Sequence, residues 1–113
     1  MDAGLKVHRA LGPGLLESTY EHCLVYELSS RGLFVARQVP LPITYEDVTL
    51  DAGYRLDLLV QNEVIVEIKS VDALTRVHHA QMMTYLKLSR LRLGFLINFN
   101  VALFKEGVKR LIL

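Results

Sequence analysis

The sequence predicts an α/β domain, with helices packed around one mixed sheet. Three observations carry this. Segments near the start and in the second half repeat apolar residues at helical spacing, and between and after them lie short runs rich in β-branched residues. The third is composition: 113 residues, 51% apolar and 22% charged, suit one globular domain.

Met1 to Leu11 reads as a short helix, with Leu5, Val7 and Leu11 as its apolar contacts. Gly12-Pro13-Gly14 interrupts it, because proline and its flanking glycines favour a turn. A longer helix follows from about Leu15 to Ser30, and Gly32 is placed to cap its end. Pro40 and Pro42 mark an edge strand or bent extended segment from about Phe34 to Tyr45. Tyr54–Val60 and Val64–Val71, separated by Gln61-Asn62-Glu63, read as a β-hairpin. Leu74 to Leu91 is periodic as a helix, Gly94–Phe99 suits a buried strand, and Val108–Leu113 adds an edge strand. The order is α-β-β-β-α-β with small additions, expected to form a single domain over residues 1–113.

Several function classes are excluded at this level. Thirteen basic and twelve acidic residues leave a net charge of +1, so bulk charge does not hold a polyanion. The single cysteine, Cys23, forms no disulfide framework or cysteine-rich zinc site. No apolar run approaches the ~20 residues of a membrane span, and no export pattern opens the chain. The expectation is a soluble, cytoplasmic domain with no membrane partner.

Polar residues in apolar surroundings are the informative ones, because burying them is costly unless something satisfies them. A three-residue loop pairs Val60 with Val64, and in that register Asp57 opposes Glu67 and Arg55 opposes Lys69. Asp57, Glu67 and Lys69 then share one face, amid Leu59, Ile65 and Val71. Opposed carboxylates repel, and a divalent cation resolves the conflict by taking their oxygens. The alternative is that Lys69 bridges both acids as an ordinary ion-pair cluster. On the Leu15–Ser30 helix, Leu16, Tyr20, Cys23, Leu24 and Leu28 form the apolar stripe, with Glu17 between Leu24 and Leu28 on the helical wheel as a third acidic candidate. Glu27, near mid-stripe, is expected to pair with Arg37 or Arg55.

On the second long helix, Leu74, Val77, Met83, Leu88 and Leu91 form the stripe, and Met82 and Leu86 point away from it. Gln81 lies within that stripe and Tyr85 beside it, so both are expected to face the sheet. Arg76, His79, Lys87 and Arg90 share a flank. From Lys69 to Arg92, five basic residues face one acidic residue, a local +4 that is the one candidate footprint for a polyanion. A solvated helix face is the plainer account of it. His78 and His79 point ~100° apart on a helix and cannot chelate one metal together. Cys23 reads as an inert thiol on the inner stripe.

The same residues carry a family resemblance. Gly14-Leu15-Leu16-Glu17-Ser18-Thr19-Tyr20 resembles the signature of the GxxExxY proteins, and Asp57 with Glu67-Ile68-Lys69 resembles the D…(D/E)xK signature of the PD-(D/E)xK nuclease superfamily. Gln81-Met82-Met83-Thr84-Tyr85 is similar to the QxxxY motif of RecB-like members. The resemblance runs from Val7-His8-Arg9-Ala10-Leu11-Gly12 to Asn98-Phe99 and Lys109-Arg110-Leu111. It departs at Leu56, where the signature has proline.

It implies a restriction-endonuclease-like αβββαβ core and a metal-dependent nuclease acting on nucleic acid, DNA first. Asp57, Glu67, the Ile68 carbonyl and Glu17 would hold Mg²⁺, with Mn²⁺ as a substitute. Lys69 would orient the attacking water, while Gln81 and Tyr85 would position the substrate phosphate or brace Lys69. From the basic flank, Arg76 and Lys87 are the further candidates for binding substrate. Two rival readings stand beside it. One is a non-catalytic module that binds nucleic acid or protein. The other is a subunit needing a second copy or a partner protein, suggested by the outward Met82 and Leu86.

Overall fold

Glycine-bounded turns separate the first two helices in the computed structural model, which describes residues 1–113. These are α1 (Asp2–Leu11) and α2 (Glu17–Ser30). Gly12 and Gly14 take positive φ of 71° and 97° between them, the backbone region glycine enters without steric penalty. Gly32, at φ 82°, follows the end of α2 as expected.

The central sheet has five strands in the order β1-β4-β5-β6-β7. They are β1 (Val35–Pro40), β4 (Arg55–Val60), β5 (Val64–Lys69), β6 (Leu93–Asn98) and β7 (Val108–Ile112). Only β5 and β6 run parallel, joined by helix α3 (Arg76–Ser89); the other pairs are antiparallel. The segment read as one bent strand to Tyr45 divides instead. After β1 it forms a separate two-stranded hairpin, β2 (Ile43–Tyr45) and β3 (Val48–Leu50). Its turn at Glu46-Asp47 has no glycine or asparagine to signal it, although Glu46 takes φ 54°.

Two cores result, one on each sheet face. Ala3, Val7, Tyr20, Leu24 and Leu28 of α1 and α2 cover Leu58, Val60, Val66, Ile68 and Ile97. Met82, Tyr85 and Leu86 of α3 cover Ile65, Leu96 and Leu111 on the other face. This corrects the expected stripe of the second long helix in part, since Leu74, Met83, Leu88 and Leu91 do pack against that core. Val77 is 74% exposed, whereas Met82 and Leu86 are core residues, so the support they lent to a partner subunit is gone. Leu16 likewise lies outside α2 and is exposed, and Leu11 is only marginally covered. Apolar periodicity misplaces Val77, Met82 and Leu86; packing against the sheet decides which of them is buried.

Candidate active site

The hairpin forms in the expected register, with Val60 opposite Val64, Leu59 opposite Ile65 and Leu58 opposite Val66. Beyond Leu58 the backbone ladder gives way to side chains. The Asp57 amide donates to Glu67 Oε2 at 2.7 Å, and the Ile68 amide donates to Asp57 Oδ2 at 2.8 Å. Each strand's carboxylate therefore takes the place of a carbonyl from its neighbour. The two acids meet in a wedge between the strands.

Their approach differs from the one expected. Leu59 and Ile65 pack with α3, so the face holding them is not the one α2 covers. Glu67 alternates with Val66 and Ile68 and leaves β5 on the α3 side, 4% exposed, where its charge acts on Tyr85. Asp57 reaches the α2 side because β4 changes face there: Leu58 packs with α2 but Leu56 packs with α3. Gln38, which lies across from Asp57 by the flanking register, sits at φ 50°, and the regular β1–β4 pairing skips that position.

A cleft of about 140 Å³ opens beside Asp57, lined by Glu17, Ser18, Glu21, Gln38, Asp57 and Ile68. Glu17 is exposed in it at the N-terminal end of α2. Glu21 is the acid that sequence reasoning missed. It is buried, accepts from Arg37 at 3.0 Å and from Gln38 at 2.7 Å, and lies four residues after Glu17, on the same helix face. That spacing was the available signal. Glu27 was expected to pair with Arg37 or Arg55, but it pairs with Lys6 at 3.2 Å, because α1 packs beside it.

The electrostatics are those of crowded acids. Burial and the Asp57 charge push the Glu67 carboxyl up to about 8. Burial raises Asp57 as well, helped by the Glu21 charge and opposed by the Ile68 amide. Lys69 is half-buried at the end of β5 and its charge opposes both shifts. It is not, however, an ion-pair bridge. The ion pairs within 4.0 Å are Lys6–Glu27 and Arg37–Glu21.

The segment Gly14 to Tyr20 is tied to Lys69 through its neighbours. Tyr20 is fully buried; its hydroxyl donates to the Gly12 carbonyl at 2.6 Å and accepts from the Leu15 amide at 3.1 Å. The Leu15 carbonyl in turn accepts from the Ser70 hydroxyl at 2.6 Å. Tyr20 also stacks on Phe99, whose amide donates to the Lys69 carbonyl at 3.0 Å. Asn98, buried, holds Val71 by two further bonds of 2.9 and 3.1 Å. Lys69 therefore leaves the sheet just before two anchored residues, Ser70 and Val71.

The other expected site residues divide. Tyr85 is buried on the α3 side, with its ring 6.4 Å from that of Tyr54 and its hydroxyl raised by burial and by the Glu67 charge. Gln81 is only half-buried, and no buried polar side-chain atom in the molecule lacks a partner, so it is not an orphaned core amide. Arg76 and Lys87 are exposed on α3 and do not line the cleft.

Three His, Cys, Asp or Glu side chains nowhere form a ready-made chelate. The pair Asp57 and Glu67 still suits a hard cation. Glu67 is buried and Asp57 half-buried, each spends one oxygen on a backbone amide, and burial raises both. Magnesium commonly binds through one or two carboxylates and keeps water or phosphate for its other positions.

A family model for the PD-(D/E)XK nuclease superfamily matches residues 1–111. No curated protein and no solved structure matches the chain.

Proposed function

The chain belongs to the PD-(D/E)XK nuclease superfamily, and from that premise we propose that it is a divalent-metal-dependent nuclease that hydrolyses DNA. The observation carrying this reading is the wedge where β4 and β5 exchange backbone pairing for two carboxylates, Glu67 buried and Asp57 half-buried. A sheet built only for stability has no use for opposed acids there. In this reading Asp57 and Glu67 hold Mg²⁺ or Mn²⁺, with the Ile68 carbonyl and Glu17 as further oxygen donors. When bound, such an ion polarises a phosphodiester and lowers the pKa of water.

The chain's own residues do the rest. Lys69, followed by the anchored Ser70 and Val71 and free of an ion pair, orients the attacking water and offsets charge developing on the phosphate. Glu17 and Ser18 line the approach to Asp57. Tyr85 stands behind Glu67, and Gln81, Arg76 and Lys87 extend the substrate surface along α3. The Gly14–Tyr20 segment supports the finer assignment to the GxxExxY proteins, because its tyrosine ties the turn before α2 to Ser70. No helix is long and apolar enough to cross a membrane.

The test is cleavage of labelled single-stranded, double-stranded and branched DNA and RNA, with Mg²⁺, Mn²⁺ or EDTA. Metal-dependent cutting that disappears in Glu67→Gln and Lys69→Ala supports the proposal. Tight binding of the same substrates without cutting would instead favour the non-catalytic module.

A further inference from the structure

Gln38 is a glutamine in a backbone conformation better suited to glycine or asparagine. Its φ of 50° lies in the left-handed region, within an otherwise extended edge strand. Strain of this kind persists only where the surroundings impose it, and it gathers at functional sites. The surroundings here are specific. Gln38 Nε2 donates to Glu21 Oε1 at 2.7 Å and reaches Asp57 Oδ1 at 3.5 Å. Glu21 is itself fixed by Arg37 at 3.0 Å. A relay therefore runs from Arg37 through Glu21 and Gln38 to the one Asp57 oxygen that the Ile68 amide leaves free.

We propose that Gln38 is a positioning residue: its side-chain amide, anchored by Glu21, sets the orientation of the Asp57 carboxylate. The inference rests on the nuclease reading for its purpose but not for its geometry. An amide with two N–H donors can serve both acids at once, which no carboxylate or hydroxyl at this position could do. The left-handed backbone delivers that amide to the α2 side, where Arg37 of the same strand also points to Glu21. Glu21 keeps the amide in place when Asp57 turns toward a ligand, and the long Asp57 contact has room to tighten.

The chain contains a matched control. Gln61 is also a glutamine at positive φ, 56°, and its side chain accepts from the Phe34 amide at 2.6 Å. It sits in the β4–β5 loop, at the opposite end of the hairpin from Asp57.

The experiment compares Gln38→Gly, Gln38→Asn and Gln61→Gly in the full chain. Amide hydrogen exchange at Ile68 is read by NMR without metal, and Mg²⁺ affinity is read by calorimetry. Gln38→Gly relieves backbone strain, so its melting temperature should equal or exceed that of the native chain. Ile68 exchange should nevertheless quicken and Mg²⁺ affinity fall, each by roughly tenfold, the scale seen when a group supporting a ligand is lost. Gln38→Asn tolerates the same backbone and should fall between; it also serves should Gln38→Gly fold poorly. Gln61→Gly should leave both readouts unchanged. Native Ile68 exchange in both Gln38 variants would overturn the inference, whatever the metal does. Faster Ile68 exchange in a chain that binds no Mg²⁺ even when native would keep the positioning role and overturn the metal site.

Discussion

The two ends of β5 differ in what fills their hydrogen bonds. At Val64–Val66 the strand is laddered to β4 on one side and β6 on the other, and its side chains are alternately packed under α2 and α3. At Glu67–Lys69 the β6 ladder continues, but the β4 side is taken over by carboxylates. One flank stays rigid while the other opens to a cleft. A sheet can thus hold acids in a fixed place without a loop, by giving up backbone pairing along half of one strand.

The sharpest way to break this comparison is to mutate each end in turn. Glu67→Gln should lower nuclease turnover by more than the ~10–100-fold lost when only a ligand's support is changed. It should leave folding intact at neutral pH, where Glu67 holds its proton, and raise metal-free stability above pH 8, where it removes a buried charge. Ile65→Ala, at the laddered end, should show the reverse. Its cost is about 2–5 kcal/mol in denaturant unfolding, with activity per folded molecule preserved. A large stability loss in Glu67→Gln would make the acid end structural.

Proton linkage sharpens the same contrast. Glu67 titrates near 8 in the folded chain against an ordinary 4.5, so between those values the folded state keeps a proton the unfolded chain has lost. Without metal, its contribution to stability is full below 4.5 and disappears as pH rises through 8. The slope is at most about 1.4 kcal/mol per pH unit, the value for one proton. Native minus Glu67→Gln stability, measured across that window, should follow this fall. A difference independent of pH would refute it. Mg²⁺ affinity should run the opposite way and rise with pH, because binding displaces the proton.

A smaller effect is expected at Tyr20. Removing its hydroxyl in Tyr20→Phe keeps the Phe99 stacking but frees the Leu15 turn that receives Ser70. The expected loss is about 1–3 kcal/mol. Turnover should fall with substrate affinity unchanged, since the change reaches the reaction through Lys69. Equal losses in both would place Tyr20 in general folding alone.

The smallest effect belongs to Val77, exposed on α3. Val77→Ser should lie within about ±0.5 kcal/mol of the native chain. Leu86→Ala should cost about 2–5 kcal/mol. Thermal melts of the two would reverse the order that apolar periodicity alone implies.

These cases show which parts of the chain were legible beforehand. The β4–β5 hairpin was, because alternating side chains and a three-residue loop leave one register, and that register brings Asp57 to Glu67. The order of elements along the chain was readable for a related reason: each run announces its own period and its own breaks. The β2–β3 hairpin was not, being three residues a side with a turn that carries no glycine. Glu21 escaped because an acid beside an apolar stripe normally reaches solvent, and only Arg37 and Gln38 from a distant strand make its burial tolerable.

By itself, then, the sequence determined the helices, the strands of the central sheet and the meeting of two acids, since local periodicity and turn chemistry act over a few residues. Tertiary structure decided which face of α3 is buried and which side of the sheet Asp57 joins. It also brought Glu21 and Gln38 to that acid. Those outcomes depend on contacts between segments far apart in the chain, where burial of a charge is settled by what stands opposite it.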